Sequence, residues 1–239
     1  MYKPETLKKY VELMKKCINF FLCILAAGVD LSISISLGNK KIGRVMNVSL
    51  PPIISCGNCS HCAPFCYDIK ANLFHTNSTL LARAKNYALF LFSRDIYFSQ
   101  VEKAISKRRV NKFFRWHVGG EIVDYDYFCR MVEIARKYSD FRFWTYTKMH
   151  EIVNLYCLRN GGRAAIPENF NIMFSVWDGM PYSNPYSFKI FACKLKDGNK
   201  DLTEEDFSRM FKCPGNCDIC KAAKSGCIYG TVDIYADQH

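Results

Sequence analysis

Apolar residues return at helical spacing through residues 4–27, with lysines crowded into the first half, so the pattern predicts a helix that starts at the surface and ends buried. From residue 31 to 37 the period drops to two. Leu, Ile, Ile and Leu alternate there with serines, as on a half-exposed strand. Gly38 and Asn39 make a turn, residues 44–50 read as a further strand, and Pro51-Pro52 ends it. Helices are expected over 78–92, capped by Asn77 or Ser78, and over 93–106. Strand and helix then alternate: strands at 113–122, 141–147 and 171–177, with helices at 126–138 and 150–158. Alternation at this pitch implies right-handed βαβ units and a parallel sheet. Beyond residue 180 the pattern weakens to a turn at Asn184-Pro185, an edge strand over 188–195, a short helix over 203–211, and a hairpin or tail strand over 227–235. The expected class is therefore α/β, either a partial (β/α) barrel or an open parallel sheet, with a cysteine-rich C-terminal tail. No linker or low-complexity stretch divides the chain. It reads as one domain: an N-terminal helix and strand (1–42), a βα core with a first cysteine loop (43–212), and a C-terminal cysteine loop (213–239).

Cysteine changes this picture most. Cys56, Cys59, Cys62 and Cys66 fall within eleven residues, spaced by two, two and three. That is the ligand rhythm of bacterial 4Fe-4S proteins, in which one loop need not complete one site. A second group, Cys213, Cys217, Cys220 and Cys227, follows near the C-terminus, with Pro214 and Gly215 supplying a bend. Such short spacers let consecutive turns of a loop aim several sulfurs inward. The pattern points to one or two 4Fe-4S clusters, with zinc as the other metal whose ligand spacing it matches through Cys56/Cys59 and Cys217/Cys220. His61 lies inside the first group, where sulfur ligands already suffice. The total of 13 cysteines is odd and far below the density of a small secreted scaffold, which favours a reducing, cytoplasmic setting. Cys17, Cys23, Cys129, Cys157 and Cys193 stand singly on apolar elements and read as core.

A hydrophobic content of 49% fits a globular chain, and the formal charge is +11. Two four-thiolate clusters at about −2 each would lower that charge to roughly +7. The remainder favours solubility or an anionic partner such as a nucleic acid. The apolar run 17–29 follows five lysines, as a signal peptide's core would, but Glu5 and Glu12 interrupt the charge and the run is short for a membrane span. A buried helix is expected, with no membrane association.

Along the strand expected at 113–122, Phe114, Trp116 and Val118 share one side and Arg115, His117, Gly119 and Glu121 the other. The second side would carry a cation, an imidazole and a carboxylate, which need partners when buried. Lys148 and Asp178 follow the next two expected strands, where a barrel-type site belongs. Arg115, His117, Glu121, Lys148 and Asp178 are thus the candidate catalytic groups, each with a plain structural role as the competing reading. Trp116, Trp144 and Trp177, one per strand, read as core. Arg83, Arg94 and the run Lys107-Arg108-Arg109 read as solvated surface, with phosphate contact the functional alternative for the run.

Asn47-Val-Ser-Leu-Pro-Pro52 leading into the cysteine loop, then Phe114-Arg-Trp-His-Val-Gly-Gly-Glu121, Tyr146-Thr-Lys148 and Cys213-Pro-Gly-Asn-Cys217, resemble the phage gene product 88 family from about Gly38 onward. That resemblance implies an iron–sulfur α/β protein more than a reaction. A wider similarity is to radical S-adenosylmethionine enzymes, which place a three-cysteine loop after the first strand and a Gly-Gly-Glu-Pro motif at the end of the second. By that similarity Gly119, Gly120 and Glu121 would meet the amino group of S-adenosylmethionine, and the C-terminal group would hold an auxiliary cluster. Three functions follow: a cluster protein of redox, sensing or structural type serving a redox partner or small molecule; a radical enzyme; or a zinc-stabilised nucleic-acid-binding module. The sequence leaves open whether the two cysteine groups build one site or two.

Overall fold

The computed structural model describes residues 1–40, 42–57 and 59–238; Asn58, inside the first cysteine motif, lies outside the described residues. Helices are α1 (Pro4–Ala26), α2 (Tyr67–Phe74), α3 (Leu81–Phe92), α4 (Arg94–Ser106), α5 (Tyr125–Lys137), α6 (His150–Arg159), α7 (Glu204–Arg209), α8 (Cys217–Ala223) and α9 (Gly226–Tyr229). Strands are β1 (Met46–Val48), β2 (Phe113–Trp116), β3 (Arg142–Thr147), β4 (Phe170–Val176), β5 (Ile190–Lys194), β6 (Phe211–Lys212) and β7 (Ile234–Asp237). They form one open sheet in the order β1-β2-β3-β4-β5-β7-β6, so the open-sheet alternative holds and no barrel closes. Every pairing from β2 to β6 is parallel. Among the described residues no helix is long and apolar enough to cross a membrane.

The chain divides into two compact units. The first comprises Met1–Ser36, Asn47–Val110 and His117–Glu121, and the second Leu37–Met46, Asn111–Trp116 and Ile122–His239. In the first, α1 buries Tyr10, Met14, Ile18 and Leu25 at helical spacing, and it packs on α3. The strand expected at 31–37 is absent among the described residues; only an isolated bridge joins Ser36 to Asn47. Two of its amides are satisfied by side chains instead. Ile33 donates to Gln100 Oε1 at 2.6 Å and Ser34 to Asn86 Oδ1 at 2.8 Å, while Asn86 and Gln100 donate back to the carbonyls of Ser34 and Leu31. An extended segment lying on two helices shows the same period of two as a strand, without a ladder.

In the second unit β3 and β4 are buried almost throughout, as the inner strands of a parallel sheet must be. Register assigns the faces. Arg115 pairs with Trp144, Tyr146 with Met173, Ser175 with Phe191, and Phe191 with Ile234, which places them all on one side. The opposite side carries Trp116, Phe170 and Phe174, covered by α5 and α6: Tyr127 meets Trp116 at 6.2 Å and Phe128 meets Phe170 at 6.3 Å. The strand expected at 188–195 is not an edge, because β7 and β6 add beyond it. The tail expected at 227–235 splits into α9 and β7. Trp116 and Trp144 are fully buried, while Trp177 lies just past β4 and is half-buried.

His150 opens α6 with its ring stacked on Phe174 at 4.4 Å and Nε2 3.1 Å from the Ser175 carbonyl. Burial first, and Lys148 as the last contributor, push its pKa down to about 4, although its contacts with the Ser175 and Thr147 backbone oppose this. The unfolded imidazole takes its proton near pH 6.5. Stability is therefore full above about 6.5 and falls as pH drops towards 4, by roughly 3 kcal/mol at most. Urea titrations between pH 7 and 4.5 should show that slope in the wild type. In His150→Phe the slope should flatten; an unchanged slope would assign it elsewhere.

Candidate metal and ligand site

The first cysteine group occupies the loop between β1 and α2, wholly in the first unit. Pro51-Pro52 starts a chain of tight turns: Ser55 Oγ donates to the Pro51 carbonyl at 2.8 Å, Ile53 takes φ 66°, and the Ala63 amide reaches the Cys59 carbonyl at 2.8 Å. A short 3-10 turn over Ala63–Phe65 delivers Cys66 to the start of α2. Burial pushes the Cys66 thiol up to about 11, helped by Asp68 and Cys62, while the Ile69 and Asp68 amides pull the other way. Tyr10 is buried close by. Burial foremost, with Asp68, Cys66 and Cys56, raises its phenol, and its Oη has no hydrogen-bond partner among the described residues.

The segment His117–Glu121 lies against this loop within the same unit. Tyr67 Oη donates to the Val118 carbonyl, the Leu50 amide to the Gly119 carbonyl at 3.0 Å, and the Gly119 amide to Ser49 Oγ at 3.3 Å. Gly119 abuts the Asp68 carboxylate so closely that any Cβ would overlap it. Gly120, at φ +86°, would place a Cβ 2.7 Å from Leu50. Asp68 is buried in an ion pair with Arg83 and is further contacted by Asn72 Nδ2. Arg83 is thus a buried partner of the loop and not the solvated residue the sequence suggests; Arg94 is exposed.

The second group lies wholly in the second unit, on the sheet face that bears Arg115 and Tyr146. Asn216 caps α8 by accepting from the Asp218 amide at 2.9 Å, which sets Cys217 and Cys220 one turn apart. Gly226, at φ +67°, lets α9 approach Cys220; a Cβ there would stand 3.0 Å from its Sγ. Cys227 packs with Met173 and Ile234, and Tyr146, Phe191 and Cys213 close around them. Tyr146 Oη donates to Cys227 Sγ at 2.7 Å, and the Arg115 guanidinium stands 4.6 Å over the Tyr146 ring. Burial pushes Cys217 up to about 12, with Cys227, Cys213 and Cys220 adding to it and Arg115 opposing. Cys220 rises to about 11 from burial, Cys227 and Cys213, and burial likewise raises Cys227.

None of the thirteen cysteines is joined in a disulfide. Among the described residues, no three His, Cys, Asp or Glu side chains are grouped so as to hold a metal ion as they stand. The candidate row Arg115, His117, Gly119, Glu121 does not form. β2 ends at Trp116 and His117 takes φ 55°, so the backbone turns and alternation stops there. Arg115 belongs to the second unit, while buried His117 and Glu121 belong to the first. Lys148 follows β3, where its charge lowers the Cys193 thiol, itself raised to about 11 chiefly by burial. Asp178 closes a loop: its Oδ1 accepts from the Lys200 and Asp201 amides at 2.6 and 3.0 Å. Tyr10 and Asp68 escape sequence reasoning, and Tyr146 enters it only within the Tyr146-Thr-Lys148 motif, with no role assigned. Its place follows from the β2–β3 register, which sets it on Arg115's face.

No curated protein and no solved structure matches the chain. The family model described as Gene product 88 matches residues 31–186, which take in the first cysteine loop and the sheet through β4 and leave the second cysteine group outside. With well over half its length covered, the chain belongs to the Gene product 88 family.

Proposed function

We propose that this chain is an iron–sulfur protein, with 4Fe-4S clusters held by Cys56, Cys59, Cys62 and Cys66 and by Cys213, Cys217, Cys220 and Cys227, acting in electron transfer, sensing or structural support. One observation carries the reading. The four C-terminal cysteines leave a turn and two helices at different points of a single sheet face, where burial first, and other cysteines of the group after it, raise the thiols of Cys217, Cys220 and Cys227. Buried thiols that neighbour one another are costly to ionise alone and suit a cationic core that takes thiolates as ligands. Their donor set fits a cluster, and so does Tyr10 Oη beside the first group. When bound, a cluster supplies one-electron chemistry. The protein's own part is to desolvate the sulfurs, to place Arg115 where it offsets their charge, and to hold the first loop on the Asp68–Arg83 pair.

A second reading, a radical S-adenosylmethionine-type enzyme, is favoured by the lacing of Val118, Gly119 and Gly120 to Ser49, Leu50 and the Tyr67–Asp68 step just past Cys66. It ranks below the first because Ile122 stands where that family has proline and a loop of four thiolates leaves no iron position open. Protein purified without oxygen should be brown, with about four or eight irons and matching acid-labile sulfide per chain. Cys217→Ser should lower the iron content by one centre's worth if both groups load. Cleavage of S-adenosylmethionine by the reduced protein would promote the second reading. Stoichiometric zinc would promote a zinc-stabilised nucleic-acid-binding module, and iron-free, colourless protein after reconstitution would reject the proposal.

A further inference from the structure

Of the four sulfurs in the second group, Cys227 receives a side-chain hydrogen bond, from a phenol that is itself held in place. Tyr146 Oη lies 2.7 Å from Cys227 Sγ. Its ring meets Phe191 edge-on at 4.9 Å and carries the Arg115 guanidinium at 4.6 Å on its face. β2 and β3 fix both residues, because parallel pairing of Arg115 with Trp144 and of Tyr146 with Met173 sets them on the sheet side that α9 covers. Core packing alone does not require a hydroxyl at this position, since phenylalanine would meet Arg115 and Phe191 equally well.

We infer that Tyr146, backed by Arg115, is a positioning residue that sets the reduction potential of the centre held by Cys213, Cys217, Cys220 and Cys227. The inference rests on the iron–sulfur reading of that group. Adding one electron to a cluster spreads negative charge over its ligand sulfurs. A hydrogen-bond donor and a nearby cation therefore favour the reduced form over the oxidised one, and hydrogen bonds to sulfur are among the levers that tune such centres. The electron comes from a low-potential one-electron donor, which is dithionite in the experiment below.

The test titrates the full-length, anaerobically reconstituted protein with dithionite and follows the reduced signal, with iron and sulfide counted in every sample. Tyr146→Phe should retain its iron and require a lower potential for half-reduction of the centre that Cys220→Ser abolishes. The expected change is about tenfold in the reduction equilibrium, or about 59 mV for one electron. Arg115→Gln should shift the same centre in the same direction, leaving the other unmoved as an internal control. Full iron with unchanged midpoints in both variants would overturn the inference while leaving the iron–sulfur reading intact. Equal shifts of every centre, or loss of iron from both variants, would also overturn it, since the pair would then be supporting the fold. Wild-type protein without iron would remove the reading and the inference together.

Discussion

Gly119→Ala is expected to destabilise the first unit by about 3–5 kcal/mol, among the largest effects available to a one-carbon change. The added methyl falls on the Asp68 carboxylate, which cannot retreat without leaving Arg83. Either the buried ion pair opens or the His117–Glu121 segment lifts, and with it go the Gly119 hydrogen bonds to Leu50 and Ser49. Gly198→Ala is the control. That glycine, unlike Gly119, has a positive φ, +85°, but nothing lies within 4 Å of its Cβ position, so backbone strain of about 1 kcal/mol is all it should show. Urea unfolding of the two variants side by side checks this, and similar losses in both would mean that Asp68 yields easily.

Arg83→Met should be comparably damaging, about 3–5 kcal/mol, for a different reason. It leaves the Asp68 carboxylate in a site where both side chains are less than a tenth exposed, and an uncompensated buried charge costs far more than a pair contributes. Adding Asp68→Leu to Arg83→Met should recover most of that loss. The same urea measurement on single and double variants gives the comparison. A double variant no more stable than Arg83→Met would mean that the pair contributes directly and does not merely satisfy two buried groups.

Long periodic elements were readable from the sequence: α1, α4, α5 and the inner strands β3 and β4 lie where apolar spacing puts them. Both cysteine groups were visible as spacing, but their surroundings were not. His117 was assigned to a strand face because alternation continues through Ile122; a single residue at φ 55° ends the strand, and periodicity carries no sign of it. α2 was missed since eight residues after a cysteine–proline loop hold too few turns to show a period. Arg83 looked like surface because its partner lies fifteen residues back, beyond the reach of helical spacing. Tyr146 gains its meaning from parallel register and from a chain segment eighty-one residues later.

The segment that carries the second cysteine group also roofs one side of the sheet, and it is translated after nearly every strand it covers. Until it emerges from the ribosome, Met173, Phe191 and Tyr146 form a bare greasy floor that invites chaperones or self-association. On the iron–sulfur proposal, ligand assembly and roofing become a single late event in biosynthesis. If that proposal holds, starving cells of iron would leave an unfinished, sticky chain prone to degradation instead of an intact protein lacking only a cluster.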